Sequence, residues 1–130
     1  MSDSAMTPAG QVRSYRQLMV WQRSIDLAVE IHRASLDLPP FERFELGRQM
    51  RRSAVSVPSN VAEGCNRHSQ PAYRSHIAIA LGSNGELDTQ LEIAKRLGYF
   101  AGPVLDRFSD ASDEVGRLLQ GLWRSLGREK

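Results

Sequence analysis

Apolar residues recur three and four positions apart along nearly the whole chain, and nowhere do they alternate one by one. That period belongs to the α-helix rather than the strand, and it predicts four helices. The first covers 17–36, with Leu18, Trp21, Ile25, Ala28, His32 and Leu36 on one face and His32 as a packed core histidine. Pro39-Pro40 stops it, since proline lacks the amide donor and disfavours a helical residue before it. The second covers 41–63, with Leu46, Met50, Ser53, Val57 and Val61 inward and Gly64 as a left-handed terminal cap. The third covers 69–97, opened by Ser69 and Pro71 and closed by Gly98, with Tyr73, Ile77, Ala80, Leu81, Leu87, Leu91, Ala94 and Leu97 inward. The fourth covers 103–126, carrying Val104, Phe108, Ala111, Val115, Leu118, Leu122 and Leu126, with its acids early and its arginines late, as the helix dipole favours. Short connections place sequential helices antiparallel. The expectation is an all-α, up-down-up-down four-helix bundle over 15–127, preceded by a disordered tail at 1–14.

Two stretches break this regular pattern. In 51–64, small polar residues occupy helix positions and Pro58 falls mid-helix, where it displaces the carbonyl of Ala54 and is expected to kink the second helix. Ser56, Ser59 and Asn60 are close enough to serve freed backbone groups. With Arg52, Glu63 and Glu86 they form an expected structural polar network. In the third helix, Ala78, Gly82, Gly85 and Thr89 form a stripe of small residues. Glycine costs a helix interior about 1 kcal/mol against alanine, so the stripe points to a close backbone contact. That contact is either a helix crossing within the chain or a subunit interface. Asn84, at an inward spacing, needs a hydrogen-bond partner or an interface.

Charge adds one feature. The net charge is only +2, but residues 42–74 carry six arginines against three acids, and 75–114 carry three bases against seven acids. Arg48, Arg51 and Arg52 share a helix face, and Arg67 and Arg74 follow, giving a candidate phosphate-binding patch at one end of the bundle. Competing readings pair Arg48 with Glu45, Arg67 with Glu63, and Arg52 with Glu86. Fifteen of the seventeen bases are arginine, which a high-GC genome also explains.

The remaining chemistry is thin. Glu63 and Glu86 could form an acid–base pair, but no nucleophile or activating base stands at a recognisable spacing. Cys65, His68 and His76 supply only three soft ligands, so no metal or cofactor is expected. Phosphate-loop, dinucleotide, zinc-protease and hydrolase motifs are missing. A single cysteine, no membrane span and no leader signal point to a cytoplasmic protein.

Three blocks carry a family resemblance: Tyr15-x-x-Leu18-x-Val20-Trp21-Gln22, the run from Leu46-x-x-Gln49-Met50 through Arg51 to Gly64, and Ile79-Ala80-Leu81-Gly82-Ser83-x-x-Glu86-Leu87-x-Thr89. Together they span 15–100, and the second is specific. The chain resembles the four-helix-bundle proteins encoded in intervening sequences of 23S ribosomal RNA genes, relatives of the accessory variability protein of diversity-generating retroelements. His76, Asn84 and Gly85 depart from that pattern, which has larger apolar residues near these positions. The resemblance implies a homopentamer with a basic surface. For the retroelement relatives it implies a reverse transcriptase and nucleic acid as partners. The expected function is a non-enzymatic oligomeric adaptor that holds RNA or DNA through Arg48, Arg51, Arg52, Arg67 and Arg74. The alternatives are a protein–protein scaffold using the small-residue stripe and an exposed Trp123, and an enzyme or small-ligand binder beside Pro58.

Overall fold

A computed structural model of the chain describes residues 14–127. The expected tail at 1–14 lies almost wholly outside the described residues. After a helical turn at Tyr15–Gln17 come α1 (Met19–Ser35), a short α2 (Pro40–Arg43), α3 (Leu46–Cys65), α4 (Gln70–Arg96) and α5 (Gly102–Gly127), with no strand among the described residues. The long helices form a four-helix bundle in which α3 packs on α1 and α4, and α5 packs on α4 and α1. Its centre holds Ile31, Met50, Val61, Ile77, Leu87, Leu91, Phe108, Val115 and Leu119, each essentially inaccessible. No helix is long and apolar enough to cross a membrane.

The second helix does not begin at 41. It is split, because Phe44 and Glu45 leave helical geometry (φ −101°, ψ 0° and φ −108°, ψ −93°). The Glu42 side chain then accepts from the Leu46 amide at 3.4 Å, serving an N–H that α3 would otherwise leave bare. The Tyr99 hydroxyl donates to the other Glu42 oxygen at 2.6 Å, and this bond holds the phenol above its ordinary range.

The inner face of α1 is also not the expected one. Val20, Ser24, Leu27, Ile31 and Ser35 point inward, while Trp21, Ile25 and Ala28 are half-buried and His32 and Leu36 are exposed. Two serines conceal the register. Ser24 and Ser35 donate to the carbonyls of Trp21 (3.0 Å) and His32 (2.7 Å), so each hydroxyl enters the core already satisfied.

Gly98 has φ +74°, and the Tyr99 amide bonds back to Ala94 while Gly98 bonds to Lys95, a left-handed Schellman stop. Gly64 is no cap: it is helical and buried within α3, and Asn66 ends the helix. It is small because α4 crosses there; an added Cβ would lie 2.9 Å from the His76 Cβ and 3.0 Å from Tyr73 Cδ1.

Candidate functional site

The seam between α3 and α4 carries a ladder of polar contacts. At one end the Ser53 hydroxyl donates to Glu86 at 3.4 Å. One turn on, Ser56 and Ser83 hydroxyls meet at 2.8 Å. Asn60 donates to both the Ser56 carbonyl (2.9 Å) and hydroxyl (3.1 Å). Its amide oxygen accepts from His76 Nδ1 at 3.1 Å, and His76 Nε2 faces Glu63 at 3.9 Å. Glu63 also pairs with Arg67 at 3.7 Å.

The ladder includes Ser56, Asn60, Glu63 and Glu86, but it differs from the expected network in three ways. Ser59 is exposed and turns toward α1, outside the ladder. Asn60 serves the Ser56 carbonyl rather than that of Ala54, and α3 runs through the buried Pro58 as one helix. Arg52 is exposed and makes no ion pair with Glu86 among the described residues. Ser53, Ser83 and His76 were missed. The parts of Ser83 and His76 depend on the α3–α4 register, which no local spacing encodes.

The five arginines do not form one patch. Arg48, Arg51 and Arg52 lie in the first turns of α3, whereas Arg67 and Arg74 lie beyond its other end. At 1.5 Å per residue the groups stand roughly 25 Å apart. Their engagement differs as well. Arg51 donates to the Ser35 hydroxyl at 2.8 Å and to the Arg43 carbonyl at 3.0 Å, tying α1 and α2 to α3. Arg67 is held by Glu63. Arg74 lies 3.5 Å over the Trp123 ring and donates to the Trp123 carbonyl at 3.1 Å, placing a cation at the C-terminal end of α5. Trp123 is therefore half-covered rather than free. Arg48 and Arg52 are exposed and have no partner among the described residues.

The small-residue stripe settles differently from a helix crossing within the chain. Ala78, Gly82, Gly85 and Thr89 all face outward, and a Cβ added at Gly82 or Gly85 would meet nothing within 4 Å. The bare face makes a trough between α3 and α5. On one side a groove of about 760 Å³ is lined by Arg52, Ser53, Ser56, Ser83, Glu86 and Gln90, among others. On the other, a groove of about 440 Å³ is lined by Asn84, Asp88, Asp113 and Arg117, among others. Asn84 donates to the Ser112 carbonyl at 3.0 Å. The side-chain oxygens of Asn84 and Gln90 are buried without a partner among the described residues.

Among the described residues the candidate acid–base pair does not come together. Glu86 lies level with Ser53, and Glu63 stands ten residues further along α3, about 15 Å away. The two carboxylates therefore cannot share a substrate atom. Burial pushes the Cys65 thiol up, away from the thiolate form that reacts. No group of three or more His, Cys, Asp or Glu side chains gathers among the described residues.

With this geometry in view, the family model described as "23S rRNA-intervening sequence protein" matches residues 16–121. The chain belongs to that family. The match runs well into α5, beyond the motifs at 15–100, so the fourth helix is part of the family fold. Among solved structures, this family member is similar to a Bacteroides thetaiotaomicron protein of unknown function from the S23 ribosomal protein family. The two share 24% identity over 81% of this chain and 95% of the other, with a TM-score of 0.76, which supports the fold alone. No curated protein matches the chain.

Proposed function

We propose that the protein is a non-enzymatic adaptor that self-associates through the outward face of α4 and holds nucleic acid at its Arg48/Arg52 end. The observation that carries self-association is the open space at Gly82 and Gly85. Two glycines mid-helix sacrifice about 1 kcal/mol each, and no contact among the described residues accounts for them. A helix laid across the trough would account for them, since only a bare face lets two backbones approach closely. The unpartnered oxygens of Asn84 and Gln90, one beside each wall of the trough, are groups such a helix could serve.

The nucleic-acid part rests on fewer residues than the sequence suggested. Arg48 and Arg52 remain as free guanidiniums; Arg51, Arg67 and Arg74 are engaged within the fold. Two phosphate contacts per chain are weak alone. Repeated around a homo-oligomer they add, because each chain brings its pair to a common surface. A scaffold without nucleic acid is the second reading, favoured by the loss of three arginines from the patch.

Light scattering tests the assembly. The expected mass is a multiple of 14.6 kDa for the native chain. The Gly82→Leu/Gly85→Leu variant is expected at a single chain's mass with full helicity. A native protein monomeric at tens of micromolar would sink the proposal. Titration with structured RNA at several salt concentrations separates the readings. Binding that weakens with salt and with Arg48→Ala/Arg52→Ala supports the adaptor; no binding at low salt leaves the scaffold.

A further inference from the structure

Among the described residues the two most exposed large apolar side chains are Phe41 (70%) and Phe44 (63%), both on the short α2 turn. They lie three residues apart, Phe41 within α2 and Phe44 at its C-cap. A mobile turn would explain exposed phenylalanines without function, but this turn is fastened throughout. Pro39 and Pro40 stiffen its entry. Glu42 is gripped by the Leu46 amide and by the Tyr99 hydroxyl at 2.6 Å. The Arg43 carbonyl is held by Arg51 at 3.0 Å, and Gly47 lets α3 pass within contact of the Glu42 carbonyl. The fold thus fixes the backbone of a turn whose two rings add nothing to the core.

Charge identifies the occupant. Residues 42–52 carry four arginines against two glutamates, and the side chains of Arg43, Arg48 and Arg52 are exposed with no partner among the described residues. Aromatic faces beside free guanidiniums suit a ligand that alternates flat π-systems with phosphates. Unpaired bases of RNA are that ligand, since loops and bulges splay bases out within reach of their own phosphates. We infer that the α2 turn is a stacking platform for unpaired RNA bases, with Phe41 and Phe44 under the bases and Arg43 and Arg48 on the flanking phosphates. This rests on the nucleic-acid reading above and adds a preference to it: loop RNA over duplex.

The test is anisotropy of a labelled RNA hairpin with an unpaired pyrimidine loop, against a fully paired RNA of the same length, using the full chain. The wild type is expected to favour the hairpin. Phe41→Ala/Phe44→Ala should weaken hairpin binding roughly tenfold or more and leave the duplex unchanged. Phe41→Tyr/Phe44→Tyr should bind like wild type, and Phe41→Leu/Phe44→Leu, which keeps apolar area without a ring face, should behave like the alanine variant. Arg48→Ala should weaken both RNAs. Equal hairpin binding by wild type and the alanine variant overturns the platform while leaving phosphate contact intact. Recovery by leucine also overturns it and marks the turn as a plain apolar contact for a protein. No binding of either RNA by the wild type at low salt removes the nucleic-acid reading itself.

Discussion

A methyl group added at Gly64 would sit 2.9 Å from the His76 Cβ, whereas one added at Gly82 or Gly85 would meet nothing within 4 Å. All three glycines lie inside long helices and all lower helix propensity by a similar amount. At Gly64 the reason is inside the chain: α4 comes so near that only hydrogen fits. At Gly82 and Gly85 the chain supplies no reason. The same contrast separates the cations. Around the α3–α4 turn, Arg67 and Arg74 are held by Glu63 and Trp123, while Arg48 and Arg52 at the far end have no partner among the described residues. One end of the bundle is closed on itself; the far end of α3 and the outward face of α4 are left open. An unoccupied feature that costs stability is a better pointer to function than an occupied one, because the fold gives no other account of it.

The largest effect that could break this contrast is at Gly64. Gly64→Ala forces α4 away from α3 or moves the His76 and Tyr73 side chains, and overpacking of this kind costs about 1–3 kcal/mol. The helix gains back about 1 kcal/mol of propensity. The net expectation is a loss of up to about 2 kcal/mol in urea denaturation, with the slope unchanged. A stabilised Gly64→Ala variant would show that the crossing is looser than these distances.

Arg74 comes next. Arg74→Ala removes the stack on Trp123 and the bond to its carbonyl, at a cost of about 1–2 kcal/mol. Arg74→Lys should recover little, since a point charge cannot reproduce the flat contact. RNA affinity should not move with either change. A drop in affinity at constant stability would return Arg74 to the open set.

Gly82→Ala and Gly85→Ala sharpen the comparison through their sign. In a dilute, dissociated sample each is expected to raise stability by about 0.5–1 kcal/mol, the ordinary gain in an exposed helix. In a concentrated, assembled sample each should lower the midpoint, because the added methyl holds the neighbouring helix off. A gain at every concentration means that nothing covers the trough.

These contrasts were only partly legible in the sequence. The four long helices, their order and most of the inner residues of α4 followed from apolar period, because leucine, isoleucine and phenylalanine announce a core; in α5 the period gave Phe108, Val115 and Leu126 but took the half-buried Val104, Leu118 and Leu122 in place of Leu105, Ser112 and Leu119. The register of α1 did not, because Ser24 and Ser35 are buried with their hydroxyls turned back on their own helix, and a hydroxyl satisfied that way packs like a small apolar group. The split before α3 was hidden because Phe44 and Glu45 carry no proline or glycine to mark the break. The small-residue stripe was visible, but its direction was not: Gly64 and Gly85 are the same letter, and only a neighbouring helix tells inward from outward. The ladder was half visible. Ser56 and Asn60 are four apart and meet on one helix, while Ser83 and His76 come from another element and cannot be matched by spacing. The arginine patch was misplaced for the same reason, since closeness in sequence across a turn hid the length of α3 between its halves.

Arg52 gives the smallest effect on stability and the sharpest test of which end is open. It was expected to meet Glu86; in the fold Glu86 takes a bond from Ser53 and Arg52 stands clear. An exposed arginine without a partner contributes little, so Arg52→Ala should change unfolding free energy by less than about 0.5 kcal/mol. Its signature belongs in the salt dependence of RNA binding, where losing one phosphate contact lowers the logarithmic slope by about 1. Arg74→Ala should show the reverse pair of results, stability lost and slope kept. If Arg52→Ala instead costs more than about 1 kcal/mol and leaves the slope alone, the guanidinium is held in the fold after all. The α3–α4 groove would then be closed by its own charges, and the open end would reduce to Arg48 and the two phenylalanines.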